Sequence, residues 1–179
     1  MNLPNIISLA RILFTPVVVI LLVDEDHVMA LVVFAIAGIT DGLDGLLARV
    51  LHQRTILGSY LDPIADKLLL LASFITLAFL GKIPVWLVVV VISRDVIIVS
   101  GILVLVLNDY KLTIEPTIIS KMTTVFQIGT VLAVLCKGFL FHDPLILLAF
   151  YWVTALLTIL SGLDYVRTGV KMAGTPPRT

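Results

Sequence analysis

Four aspartates, Asp41, Asp44, Asp62 and Asp66, stand in the pattern D-x-x-D-G-x-x-A-R, eight residues, then G-x-x-x-D-x-x-x-D. They interrupt a chain otherwise apolar enough to live in lipid: 60% of its 179 residues are apolar, 13% are charged, and the mean hydropathy is +1.16. An Asp at the centre of a membrane helix costs about 2.5–3.5 kcal/mol on insertion scales, so four uncompensated ones would cost on the order of 10 kcal/mol. Something cationic must hold them. Hard carboxylate oxygens with no His or Cys beside them suit Mg²⁺, Mn²⁺ or Ca²⁺, and two divalent ions balance four negative charges.

The elements that carry these residues are membrane helices. Apolar stretches near the length of a bilayer span predict an all-α, polytopic protein with six transmembrane helices: Ile6 to Val23, Val28 to Leu51, Asp62 to Leu80, Pro84 to Leu107, Pro116 to Leu140 and Pro144 to Val166. Pro63, Pro84, Pro116 and Pro144 fall at or near first turns, where a missing N–H costs nothing, and Asp62 and Asp143 are N-cap candidates. The first run holds Arg11 and lacks a basic segment before it or an A-x-A-like site after it, so it reads as a retained helix and not a cleaved signal. Short connections predict one catalytic domain, residues 1–173, with 174–179 as a loose tail. The single cysteine, Cys136, excludes an internal disulfide and a cysteine metal cluster.

A formal net charge of zero hides an asymmetry between loops. Arg49, Arg54, Lys67, Lys111, Lys121, Arg167, Lys171 and Arg178 lie by one set of helix ends, while Lys82, Lys137 and the acidic turn Asp24 to Asp26 lie by the other. The positive-inside rule therefore puts both termini and the aspartates on the cytoplasmic side. The expected setting is a bacterial inner membrane, with membrane lipid and not nucleic acid as the partner.

Helical geometry makes the carboxylates one site. At 100° per residue, Asp41, Asp44, Gly45 and Ala48 share an arc of about 100° on helix 2, and Asp66 lies one turn from Asp62 on helix 3. In an antiparallel pair, Asp41 is level with Asp66 and Asp44 with Asp62, a square of oxygens in the cytoplasmic third of the membrane. Gly45 and Ala48 leave room beside it for a phosphate-bearing group. Packing of small residues, N-capping by Asp62 and positive-inside anchoring explain single members of this set, but not three further aspartates at one depth.

Asp41-Gly-Leu-Asp44-Gly45-Leu-Leu-Ala48-Arg49 followed by Gly58-Ser-Tyr-Leu-Asp62-Pro-Ile-Ala-Asp66, with the opening Pro4-Asn5 to Arg11, resembles the CDP-alcohol phosphotransferase family. The resemblance implies a homodimeric membrane enzyme that moves a phosphatidyl group from a CDP-linked donor to an alcohol and releases CMP. It implies that Asp41, Asp44 and Asp62 hold Mg²⁺ or Mn²⁺ against the donor pyrophosphate and that Asp66, also in the metal square, draws the proton from the acceptor hydroxyl. Gly45, Arg49 and Gly58 border the cytidine nucleotide by the same resemblance, with Ala48 on their face. Lewis-acid stabilisation of the leaving phosphate supports those roles independently.

Three further cations point to the acceptor. Arg94 lies about ten residues into helix 4, Lys121 a turn into helix 5 and Arg167 at the end of helix 6. Adjacent positions on a helix do not face each other, so Asp95 is not expected to neutralise Arg94. Three cations on one cytoplasmic cavity would clamp an acceptor phosphate; an interhelical arginine pair with snorkelling Lys and Arg is the plainer explanation. Ile92-Ser-Arg94-Asp95 and Thr117 to Gln127 resemble two branches of the family, phosphatidylglycerophosphate synthases and CMP-forming cardiolipin synthases. The first implies CDP-diacylglycerol and glycerol 3-phosphate as substrates, and the second implies phosphatidylglycerol as acceptor. Bacterial glycerophosphate enzymes usually carry Gly where this chain has Ser120, and a second Arg-Glu pair absent here. Glycerol 3-phosphate is nevertheless the expected acceptor, as the commoner bacterial task. An acid-lined cation or proton pathway is the reading from another class; the absence of a matching polar set in the outer half speaks against it.

Overall fold

In a computed structural model the chain is all-helical. The six helices are α1 (Leu3–Val23), α2 (His27–Val50), α3 (Ile56–Phe79), α4 (Val85–Leu107), α5 (Ile118–Leu135) and α6 (Pro144–Ala173). The structure describes residues 3–50, 56–107, 117–137 and 144–173, and among them the side chains other than those of 3–9, 41–50, 56–64, 66, 105–106 and 172–173. The expected tail, 174–179, lies outside the described residues.

Three stretches among the described residues are long and apolar enough to cross a bilayer: Val85–Val104, Ile118–Leu135 and Pro144–Lys171. Ala10–Val23, His27–Thr40 and Lys67–Phe79 are apolar but shorter. These three shorter stretches end where the described side chains of α1, α2 and α3 end. The helices α2 and α3 are each 24 residues long, about 36 Å at 1.5 Å per residue.

One boundary departs from expectation. α3 begins at Ile56, so Asp62 is not its N-cap and Pro63 lies in the helix interior. Ile56, Leu57, Tyr60 and Leu61 carry the apolar pattern upstream, and a proline withdraws a single backbone donor. α6 likewise runs past Val166 to Ala173, and α5 stops at Leu135, before the expected Leu140.

The helices form two compact units. The first comprises Met1–Ile83 with Val131–His142. Within it α1 packs on both α2 and α3, burying Val18 and Leu22 with Ala30, Phe34 and Ala37 of α2 and Leu69, Phe74 and Leu77 of α3. Glu25 adopts φ 59° between α1 and α2, and Asp26 Oδ1 caps α2 by accepting the Met29 N–H at 3.1 Å. α3 ends in a Schellman turn: Gly81 takes φ 67°, its N–H reaches the Ala78 carbonyl at 3.0 Å and the Lys82 N–H that of Leu77 at 2.8 Å. Ser73 and Thr76 donate to the carbonyls of Leu69 and Ala72, both at 2.8 Å, which satisfies hydroxyls that lipid would not.

The second unit comprises Pro84–Thr130 with Asp143–Thr179. α4 and α6 are parallel, because Trp86 meets Trp152 with ring centroids 5.2 Å apart and Arg94 meets Ser161, so residue numbers rise together along the pair. α5 opposes them: the Thr123 hydroxyl reaches the Leu157 carbonyl at 3.0 Å, and Thr130 and Thr154 share a 2.7 Å hydroxyl contact. Thr123, Gln127, Thr130, Thr154 and Thr158 are all buried, so this seam is polar, as suits helices associating where apolar burial gives little drive. Outward-facing Val89, Val96, Leu103, Leu156 and Leu163 are exposed, the surface a hydrocarbon solvent requires.

Candidate active site

The motif falls wholly on helix. Asp41, Asp44, Gly45, Ala48 and Arg49 belong to α2, and Gly58, Asp62 and Asp66 to α3. Their side chains lie outside the described residues, and so does the expected square of oxygens. What is described is the stripe that leads to them. On α2 the buried residues Ala30, Phe34 and Ala37 recur at helical spacing, and positions 41, 44, 45 and 48 continue that spacing within about 60° of Ala30 on either side. On α3 the buried stripe is Ala65, Leu69, Ser73 and Leu77, and positions 62 and 66 fall within its arc of about 120°. Lys67 and Leu68, off that arc, are exposed. Both motif halves thus extend helix faces that turn inward in the first unit.

α1, which touches both motif helices, carries Arg11, only 2% exposed. The sequence places this arginine in the family's opening but assigns it no task. Its signal was plain, since an ionisable residue inside an apolar run is a functional candidate by default. As for the metal, four carboxylates on two helices and no soft ligand in the motif make a donor set that fits hard divalent ions.

The acceptor cations all lie in the second unit, and Arg94 is the best defined. It is 7% exposed, and its guanidinium is engaged on three sides. Nη1 donates to Asp95 Oδ1 at 2.7 Å, while Nη2 donates to Ser120 Oγ on α5 at 2.7 Å and to Ser161 Oγ on α6 at 2.9 Å. Its Cζ also sits 5.9 Å from the Tyr165 ring centroid.

Pairing with Asp95 corrects the sequence expectation. The Cβ directions of adjacent residues diverge, but the arginine stem is long enough to fold around the helix, and burial rewards the shortest neutralising contact. Ser120 also finds its reason here, because a glycine at that position would deprive Arg94 of a partner. Ser161 and Tyr165 were missed, since their sequence setting is an ordinary apolar helix.

Lys121 follows Ser120, and Arg167 lies two residues past Tyr165; both are exposed. Arg94 therefore marks one level of the bundle at which Lys121 and Arg167 lie within a turn of residues it touches.

A sequence model of the CDP-alcohol phosphatidyltransferase family matches residues 1–160. The chain is 37% identical over 187 residues to the CMP-forming cardiolipin synthase of Homo sapiens, an alignment covering 95% of this chain and 62% of that protein. It is 37% identical over 182 residues to the CDP-diacylglycerol--glycerol-3-phosphate 3-phosphatidyltransferase of Bacillus subtilis (strain 168), covering 92% of this chain and 93% of that protein. A probable phosphatidylglycerophosphate synthase of Mycobacterium tuberculosis (strain ATCC 25618 / H37Rv) is 34% identical over 183 residues, covering 97% of this chain and 84% of that protein. The chain spans about three fifths of the length of its human and rat relatives, 62% in both. The acidic motif, the helices that carry it and these likenesses agree: the chain belongs to the CDP-alcohol phosphatidyltransferase family.

Proposed function

We propose that this protein transfers the phosphatidyl group of CDP-diacylglycerol to glycerol 3-phosphate, giving phosphatidylglycerophosphate and CMP. The observation that carries this reading is the complete motif on α2 and α3, on stripes buried in their described turns. Asp41, Asp44, Asp62 and Asp66 would hold two Mg²⁺ or Mn²⁺ ions, which supply Lewis-acid stabilisation of the pyrophosphate when bound. Gly45, Ala48, Arg49 and Gly58 border the cytidine diphosphate. Asp66 accepts the acceptor hydroxyl's proton as that oxygen attacks the phosphatidyl phosphorus; the bond to CMP breaks and CMP leaves with its electron pair.

Lys121 and Arg167, both exposed, hold the acceptor phosphate, and Arg94, bonded to Asp95, Ser120 and Ser161, adds its charge from the same level. The enzyme works as a homodimer of six-span protomers with the site facing the cytoplasm. The distribution of Lys and Arg supports that orientation.

Phosphatidylglycerol is the second reading of the acceptor, favoured by the likeness to the human and rat cardiolipin synthases. Both acceptors carry a phosphate; only phosphatidylglycerol brings hydrocarbon. Purified protein given CDP-diacylglycerol, Mg²⁺ or Mn²⁺ and each acceptor in parallel, scored for CMP and lipid product, tests the reading. CMP with one of them supports phosphatidyl transfer, and cation flux in proteoliposomes with no CMP from any alcohol overturns it.

A further inference from the structure

Arg11 needs an anion. It is 2% exposed in the middle of α1, and an unpaired charge so deep costs several kcal/mol. Arg11 is not without a partner. The helix sets its direction: Val18 and Leu22, the buried apolar residues of α1, follow it by 7 and 11 positions and so fall within about 20° of it on either side. Its stem therefore leaves α1 on the face that meets α2 and α3.

The acids within reach of that face are few. α1 has none, α2 has Asp41 and Asp44, α3 has Asp62 and Asp66, and residues 131–142, which complete the first unit, have none. The other acids of the unit, Asp24, Glu25 and Asp26, are exposed and begin 13 residues further on, about 20 Å along the helix axis. By elimination the counter-charge of Arg11 belongs to the motif.

Register narrows the choice. Arg11 stands 12 residues before the end of α1 at Val23, and Ile39 stands 12 after the start of α2 at His27, so the two are level in this antiparallel hairpin and Asp41 lies about 3 Å beyond. Counted from the facing ends of α2 and α3, Asp41 is 9 residues before Val50 and Asp66 is 10 after Ile56, so these two share a level. Side chains lean toward the N-terminus of their helix, which turns Arg11 toward the motif and not away from it. Positions 44 and 62 are a further turn off.

We propose that Arg11 is a positioning residue of the motif site: the fixed counter-charge of Asp41 and Asp66, setting these two carboxylates in place before any metal binds. Four carboxylates on two helices repel one another, and a guanidinium on a third helix that touches both offsets part of that repulsion. The proposal rests on the motif as a metal site and is independent of which alcohol accepts.

Metal-free protein in mixed micelles tests the pairing without catalysis. Arg11→Met lowers the folding equilibrium constant by about 10²–10³-fold, as loss of one partner of a buried ion pair does. Combined with Asp41→Asn or with Asp66→Asn, in at least one of the two pairs, it costs at least about tenfold less than the product of the single losses, whereas with Asp62→Asn the losses multiply. Electron paramagnetic resonance of Mn²⁺ with CDP-diacylglycerol present supplies a readout that a merely structural arginine would not move. With one positive charge gone from its edge, the site in Arg11→Met binds Mn²⁺ about tenfold more tightly. Its kcat nevertheless falls by about 10–10²-fold, because the carboxylates are displaced. Arg11→Lys, which keeps the charge, holds Mn²⁺ within about threefold of the parent.

Multiplicative losses with both Asp41→Asn and Asp66→Asn, or coupling to Asp62→Asn instead, overturn the proposal. Unchanged or weakened Mn²⁺ binding in Arg11→Met overturns it too. If Arg11→Met does not fold, the paired changes decide: neutralising the partner restores folding in at least one pair, and failure of both is the contrary result. No CMP from the unaltered protein with any alcohol sinks phosphatidyl transfer and leaves the Arg11 pairing standing.

Discussion

Replacing Arg94 with Met tests whether one buried guanidinium fastens three helices. The change removes the 2.7 Å contact with Asp95 and the bonds to Ser120 and Ser161, at 2.7 and 2.9 Å. Interhelical hydrogen bonds in membrane proteins contribute about 0.6 kcal/mol on average and up to about 1.7, so the two serine bonds supply roughly 1–3 kcal/mol. Removing one partner of a buried ion pair costs about 3–5 kcal/mol. The Asp95 side chain retains 19% exposure, which places this pair toward the lower end. Arg94→Met is expected to destabilise the protein by about 4–6 kcal/mol in all, and Arg94→Lys by roughly half that, since charge survives but the forked geometry does not. Ser161→Ala loses one bond, about 0.6–1.7 kcal/mol. Because Ser161 acts through Arg94, the double variant is less destabilised than the sum of the two singles by about 1 kcal/mol. Equilibrium unfolding in mixed micelles reads all four proteins. Arg94→Met within about 0.5 kcal/mol of the parent, or strict additivity with Ser161→Ala, would refute the reasoning.

Asp66→Asn is expected to retain metal-dependent binding of CDP-diacylglycerol while turnover falls by about 10²–10⁴, the usual reach of a general base; near-normal turnover removes that role. Lys121→Gln and Arg167→Gln each raise the acceptor KM by more than the donor KM, and equal effects on the two remove the clamp. Gly81→Ala, which forces a Cβ into φ 67°, lowers stability by about 1 kcal/mol in the same unfolding assay while leaving the donor KM alone.

How much of this was legible in the sequence depended on range. Helix identity came from apolar length and from punctuation at Pro84 and Pro144, because those signals act within a few residues. The α3 start was misplaced because Asp62-Pro63 imitates a helix beginning, and the apolar residues upstream outweighed it. Arg94 was visible as a costly charge, but its partners were not. Ser120 and Ser161 lie 26 and 67 residues away, and only the packing of α4 against α5 and α6 brings them together. The family, by contrast, was readable from the residue types and spacing of the motif, which act within two short stretches of chain.

Manganese binding tests the central claim most directly. Electron paramagnetic resonance of the purified protein titrated with Mn²⁺ in the presence of CDP-diacylglycerol is expected to show about two ions bound per chain, as four carboxylates require. Asp44→Asn and Asp62→Asn, one change on each motif helix, should each weaken that binding and the accompanying release of CMP. Full Mn²⁺ occupancy in both variants, or none in the unaltered protein, would contradict a metal site shared between α2 and α3.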